Sequence, residues 1–237
     1  IIKNGTPYAN YSVLSGIDWI VNLPAGTYQA ILSIEGSNVE PVTKTITVAK
    51  SPAKITASAV TATYNVNKYL VIKLTDGKGN PLSGVNVTVT LGTAKTYTTD
   101  KNGQIKINVA KLVPKTYTAK ISFAGNDNYT AFTKSVKVTV KKATPKLTAK
   151  AKTFKVKVKT KKYTVTLKNN KGAVLKKVKL TLKVGKKTYK ATTNSKGKAT
   201  FKITKLTKKG KYTAVIKFAG NKYYKALSKK VKITVKK

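Results

Sequence analysis

The 237-residue chain has no cysteine, no histidine and no methionine. Without thiols there is neither a disulfide framework nor a thiolate nucleophile, and without imidazole the commonest general base and metal ligand is missing too. Arginine is also absent, so all 49 basic residues are lysine. The six acids are Asp18, Glu35, Glu40, Asp76, Asp100 and Asp127, and none follows position 127. The C-terminal part therefore has no paired carboxylates for general acid and base work, which excludes the usual hydrolytic sites there. No apolar run approaches the ~18 residues of a membrane span, and no signal-peptide pattern opens the chain. Aromatic residues make up only 8%, which points to small, lean cores.

What is present is lysine on a globular background. Hydrophobic residues reach 41%, enough for buried cores, and the formal net charge is +43. The charge is graded: residues 141–237 hold 34 of the 49 lysines. The stretch "VLKKVKLTLKVGKKTYKATT" (174–193) alternates apolar residues with lysine and contains no acid.

The chain repeats. "KLVPKTYTAKISFAGNDNYTAFTKSVKVTVKK" (111–142) matches "KLTKKGKYTAVIKFAGNKYYKALSKKVKITVKK" (205–237), and "NLPAGTYQAILSIEGSNVEPVTKTITVAK" (22–50) is a more divergent copy. Upstream, "LTDGKGNPLSGVNVTVTLG" (74–92) corresponds to "LKNNKGAVLKKVKLTLKVG" (167–185). This gives an incomplete repeat over 1–50 and two full ones over 51–142 and 143–237. The first 50 residues supply only the later strands of a repeat, so the natural chain is expected to continue upstream.

Within each repeat the apolar period is two, the signature of half-buried antiparallel strands. Turn signals such as "DGKGNP", "DKNG" and "NSKG" separate them. In the last repeat the pattern places strands near 147–158, 163–168, 177–184, 187–193, 198–204, 211–219 and 229–236. Seven short strands in about 95 residues fit an immunoglobulin-like sandwich, with Tyr28, Tyr117 and Tyr212 placed for a tyrosine corner. The fold class is all-β, in tandem immunoglobulin-like sandwich domains arranged end to end through the short joints "VAKSPAKIT" (48–56) and "VKKATPKLT" (140–148).

Four segments together, Asp76 to Val85, "TTDKNG" (98–103), "TYTAKISFAGNDNY" (116–129) and "KYTAVIKFAGNKYY" (211–224), resemble the tandem bacterial-type Ig-like repeats of adhesin-like surface proteins of methanogenic archaea. The resemblance spans both full repeats and the partial one. It implies an extracellular, cell-wall-associated protein whose Ig-like modules serve as stalk or binding units. The last repeat departs from the pattern, with "NNKGAVLKKV" (169–178) in place of the acidic turn and "TTNSKG" (192–197) in place of the second Asp.

No constellation points to catalysis, and no cofactor or metal is expected. Asp76, Asp100 and Asp127 fall in turns, where aspartate bonds nearby backbone amides, and do not supply the converging oxygens calcium wants. A Lys–Asn crosslink assisted by a buried carboxylate is excluded within the last repeat by its lack of any side-chain carboxylate. The sequons at Asn4, Asn10, Asn86 and Asn128 are about as many as chance supplies and carry little information.

That leaves lysine. Alternation sets Lys155, Lys157 and Lys159 opposite Phe154, Val156 and Val158. If the third, sixth and seventh strands share a sheet, Lys179, Lys183, Lys217, Lys232 and Lys236 line one outer face. An AT-rich genome accounts for lysine over arginine but not for the loss of every acid, because surfaces normally intersperse both signs. Such a surface attracts polyanions. The expected partner is an acidic cell-wall polysaccharide or another polyanion, with another cell surface as a further partner. Sequence-blind nucleic-acid binding is the alternative; it lacks arginine and a groove-fitting helix. Purely structural spacing is the third reading, preferred for the middle repeat.

Overall fold

The computed structural model describes residues 1–3, 5–7, 23–33, 36 and 38–237. Asp18, Glu35 and the sequons at Asn4 and Asn10 lie outside them. The described residues form strands and turns, with no helix long and apolar enough to cross a membrane.

The first sheet comprises β1 (Ile2–Lys3), β2 (Thr6–Pro7), β3 (Gly26–Leu32) and β4 (Val42–Val48), in the order β2-β1-β3-β4. Next come β5 (Ala53–Ala57), β6 (Val60–Thr63), β7 (Tyr69–Asp76) and β8 (Asn86–Leu91), then β9 (Thr93–Thr98), β10 (Gln104–Asn108), β11 (Thr116–Phe123) and β12 (Phe132–Lys141). They make a three-stranded sheet, β10-β7-β5, and a five-stranded one, β6-β12-β11-β8-β9. The last set is β13 (Lys146–Thr148), β14 (Lys152–Lys155), β15 (Lys161–Lys168), β16 (Lys179–Val184), β17 (Lys187–Thr192), β18 (Lys198–Ile203), β19 (Gly210–Phe218) and β20 (Leu227–Lys236). It repeats the plan as β13-β15-β18 and β14-β20-β19-β16-β17.

The Cα trace groups into two compact units, one of Ile1–Ala59, Leu70–Ile107 and Tyr117–Lys137, the other of Val60–Tyr69, Asn108–Thr116 and Val138–Lys237. In the first unit, Ile55, Leu70, Ile72, Leu74, Val87, Val89 and Ile121 are almost wholly buried. In the second, one core joins both sheets: Tyr163, Val165 and Leu167 of β15, Leu180 and Leu182 of β16, Phe201 of β18, Ile216 of β19 and Ile233 of β20. Alternation is the reason these residues end up together, since side chains two apart on a strand share a face.

The expected strand over 147–158 is two strands. β13 pairs antiparallel with β15, whereas β14 pairs parallel with β20. The chain changes sheets through Ala149–Ala151, and the crossing is tied by the Tyr163 hydroxyl, which donates to the Lys150 carbonyl at 2.7 Å. Burial raises the Tyr163 phenol above its ordinary pKa, so the hydroxyl remains a donor. The other six strands lie where the period-two pattern puts them, shifted by at most two residues at an end.

Two repeated devices close the ends. Tyr28 donates to Pro24 O at 2.6 Å and Tyr212 to Lys208 O at 2.8 Å, each four residues back, which is the tyrosine-corner arrangement. In the turns after β11 and β19, Asn126 Oδ1 accepts from the amides of Asn128 and Tyr129, and Asn221 Oδ1 from those of Tyr223 and Tyr224. Within the second unit Tyr64 stacks on Tyr223 at 4.7 Å and meets Tyr224 edge-on at 5.7 Å.

Candidate functional site

The aspartates of the middle repeat act as turn acceptors. Asp76 Oδ1 takes the amides of Lys78 and Asn80, and Asp100 Oδ1 those of Asn102 and Gln104. The Asn80 side-chain amide, the largest influence, holds the Asp76 carboxyl below its ordinary pKa. In the last repeat, Asn169 Oδ1 accepts from Lys171 and Ala173, and Asn194 Oδ1 from Lys196 and Lys198, at the same spacings of two and four residues. A turn of this kind needs one side-chain oxygen and not a charge. Asparagine therefore keeps the geometry and removes the only negative charges the turns carried.

The outer face of the five-stranded sheet is built by register. β16, β19 and β20 do share a sheet, so Lys179, Lys183, Lys217, Lys232 and Lys236 project from one side of it, all exposed. Lys155 joins them at the edge, directly opposite Lys236. Elsewhere on this face lysine sits opposite a small or uncharged residue. Lys183 lies between Thr188 and Val215; Lys217 lies between Thr181 and Ser228; Lys179 faces Thr192 and Lys232 faces Thr213. Like charges directly opposite across strands are destabilising, and the checkerboard avoids all but one such pair here. On the smaller sheet lysines do meet head-on, Lys146 with Lys168 and Lys162 with Lys202.

Two of the expected residues, Lys157 and Lys159, do not lie on a strand. β14 ends at Lys155, so Lys157 falls in a turn and Lys159 in a bend; both are exposed but neither continues a strand alternation. The cause is Lys161, only 2% exposed, whose ammonium donates to the carbonyls of Val156 at 3.3 Å and Val158 at 2.6 Å. The loop wraps this side chain instead of extending. Conversely, Lys190 and Lys230 belong to the face and were not singled out by the sequence pattern. Lys190 pairs with Thr181 and Lys230 with Val215. The hairpin turn at Gly185–Lys186 and the alternation of Lys230 with Val231 were the signals available.

The middle repeat keeps part of this charge, with Lys137 and Lys141 at the positions of Lys232 and Lys236, and is uncharged at the other positions named. Asn86, Thr90, Ser122 and Ser135 occupy the positions of Lys179, Lys183, Lys217 and Lys230, and Thr96, opposite Thr88, that of Lys190. Those hydroxyls bond one another: Thr88 with Thr96 at 3.3 Å, and Thr133 with Ser122 at 3.3 Å.

Strand order, a first strand split between sheets and the tyrosine corners define tandem immunoglobulin-like β-sandwiches. No protein-family profile and no curated protein sequence matches the chain. Among solved structures it is similar to invasin, a bacterial integrin-binding protein, at 20% identity and a TM-score of 0.48 over 77% of this chain and 39% of that one. It is similar to the Yersinia pseudotuberculosis adhesin InvE at 17% and 0.37, covering 76% and 58%. A 1.5-MDa bacterial ice-binding adhesin gives 14% and 0.35, covering 89% and 74%. At these identities the likeness concerns fold alone.

Proposed function

We propose that this is a non-enzymatic segment of an extracellular, adhesin-like stalk, related to the surface proteins of methanogenic archaea. Its repeats over 1–50 and 51–142 serve as spacers, and the repeat over 143–237 holds an acidic cell-wall polymer. The observation that carries this reading is the register that gathers Lys179, Lys183, Lys217, Lys230, Lys232 and Lys236 on one outer face with no acid beyond position 127. The substitution of turn aspartates by asparagine supports it, because the fold tolerates acids at those positions in the preceding repeat. Lysine suits the task as a compact, exposed point charge that exchanges one anionic group for another along a polymer.

Retention on purified wall material is the test. The intact chain binds at physiological salt and is released as salt rises, through counterion release. A variant with Lys179, Lys183, Lys217, Lys232 and Lys236 changed to Gln is released at markedly lower salt. Equal retention of the two proteins refutes the reading.

A further inference from the structure

The cationic face is not uniform. At its end nearest the turn after β19 lies a cleft of about 810 Å³, bounded by residues of β17, β16, β19 and β20. That volume falls within the ~300–1,000 Å³ common for ligand sites. The register explains its shape. One wall is the cross-strand row Lys190–Thr181–Lys217–Ser228. The other is the next outward row, Thr192 and Lys179 followed by Ala219 and Ala226. Between them the floor is the sheet at Ala191, Leu180, Phe218 and Leu227. A trough thus runs across the strands, about 7 Å between walls and about 14 Å long over three strand spacings.

The charges in it are arranged. Lys190 and Lys217 stand on one wall with Thr181 between them, about 10 Å apart by strand spacing. Lys179 stands on the opposite wall, diagonal to both. The rest of the lining is hydroxyl (Thr181, Thr192, Ser228) and methyl (Ala219, Ala226). The alanine end is low because β19 stops at Phe218 and Gly220 turns the chain away with φ +82°, so only small residues border it. The middle repeat keeps Thr88, Ala124, Ala131 and Thr133 at the corresponding places, but carries Asn86, Thr96 and Ser122 where the three lysines stand. Three neutral-to-cationic differences converge on one trough whose uncharged lining is nearly unchanged.

We infer that this trough is a defined subsite for a linear acidic glycan, laid across the strands with an anionic group held among Lys179, Lys190 and Lys217. This rests on the wall-polymer reading and sharpens it from diffuse attraction to a place and a direction. The lining favours a glycan over a nucleic acid: hydroxyls match sugar hydroxyls, alanine methyls match a ring's C–H face, and the trough presents no arginine and no exposed aromatic platform for bases.

The test measures binding of a short oligogalacturonate to the full chain at about 150 mM salt, where surface charges more than ~8 Å apart are screened. Lys179→Gln/Lys190→Gln/Lys217→Gln is compared with Lys162→Gln/Lys198→Gln/Lys202→Gln, which removes equal charge from the smaller sheet. Ala226→Trp fills the trough without changing charge. The trough variants are expected to lose about tenfold in affinity, the slope of affinity against salt flattening for the lysine triple, while the smaller-sheet triple stays within about twofold. In the intact protein the ligand shifts the amide signals of Thr181, Thr192, Ala219 and Ala226, a readout that does not depend on any variant folding. Equal losses in the two triples, or no effect of Ala226→Trp with shifts spread over both sheets, overturn the trough and leave diffuse binding standing. An oligonucleotide of equal charge that binds as tightly and responds identically overturns the glycan as occupant. Failure of the intact chain to bind wall material overturns the wall-polymer reading itself.

Discussion

At the scale of single residues, the informative substitutions are those that change charge without changing geometry. Asn169 and Asn194 make the amide contacts that Asp76 and Asp100 make. Asn169→Asp/Asn194→Asp should therefore fold normally, with a melting temperature unchanged or raised in dilute buffer, and bind wall polymer more weakly because two negative charges join the repeat. The reverse exchange tests the titration of Asp76. Its folded pKa is depressed, so the carboxylate stabilises the fold above its unfolded pKa, and that contribution is lost as pH falls through the folded value. Between about pH 5 and pH 2 the native protein should lose more thermal stability than Asp76→Asn, measured by melts across the series. Lys161 gives the third residue-scale expectation. Lys161→Ala removes two part-buried hydrogen bonds from a charged donor, to Val156 O and Val158 O, together with the packing of a side chain only 2% exposed, a loss on the order of 1–3 kcal/mol. The melting temperature should drop by several degrees, and Lys157→Ala, exposed in the same loop, should not move it.

At the scale of elements, period-two alternation made six of the seven strands of the last repeat legible, because each has one face in a single core. The division of the first strand was written in the same pattern as a change of phase, which a reading of one continuous strand passes over. In "LTAKAKTFKVKV" (147–158) the apolar residues fall on odd positions, Leu147, Ala149 and Ala151, and then on even ones, Phe154, Val156 and Val158, and this change of phase coincides with the exchange of hydrogen-bond partner from β15 to β20. What the local pattern does not carry is the bond from the Tyr163 hydroxyl to the Lys150 carbonyl, a contact 13 residues apart that ties the crossing. The lysine face was legible as far as strand sharing could be assumed. The trough was not, since it needs the register of Thr181 against both Lys190 and Lys217. Turn glycine was legible and has a measurable consequence. Gly125 and Gly220 both have φ +82°, and a Cβ on Gly220 would meet the Ala226 amide nitrogen at 2.8 Å. Gly220→Ala should cost more than the ~1–2 kcal/mol of a left-handed alanine alone, read as a lowered melting temperature. Because this turn leads into Ala226, the same change should weaken glycan binding.

At the scale of the whole molecule the question is how a chain of formal charge +43 stays folded. Spreading the 34 lysines of residues 141–237 evenly over a surface of about 5,500 Å² puts them about 13 Å apart, beyond the ~8 Å screening length at physiological salt. The register shows that they are not evenly spread. On the checkerboard, diagonal neighbours such as Lys183 and Lys217 start from positions about 7–8 Å apart, at the edge of screening, and the head-on pairs of the smaller sheet start closer. Flexible side chains splay to relieve part of this, but the ammonium groups remain within one screening length in dilute buffer, where that length reaches about 30 Å. Stability should therefore climb with ionic strength: from about 10 mM to 150 mM sodium chloride the melting temperature rises, and the rise is smaller in the Lys179, Lys183, Lys217, Lys232 and Lys236 to Gln variant. A soluble acidic glycan at fixed ionic strength should reproduce the rise, because a ligand that binds only the folded face stabilises it by mass action. A melting temperature indifferent to both salt and glycan would mean that the lysines neither repel one another nor gather anions, and the cationic face would then have no energetic role.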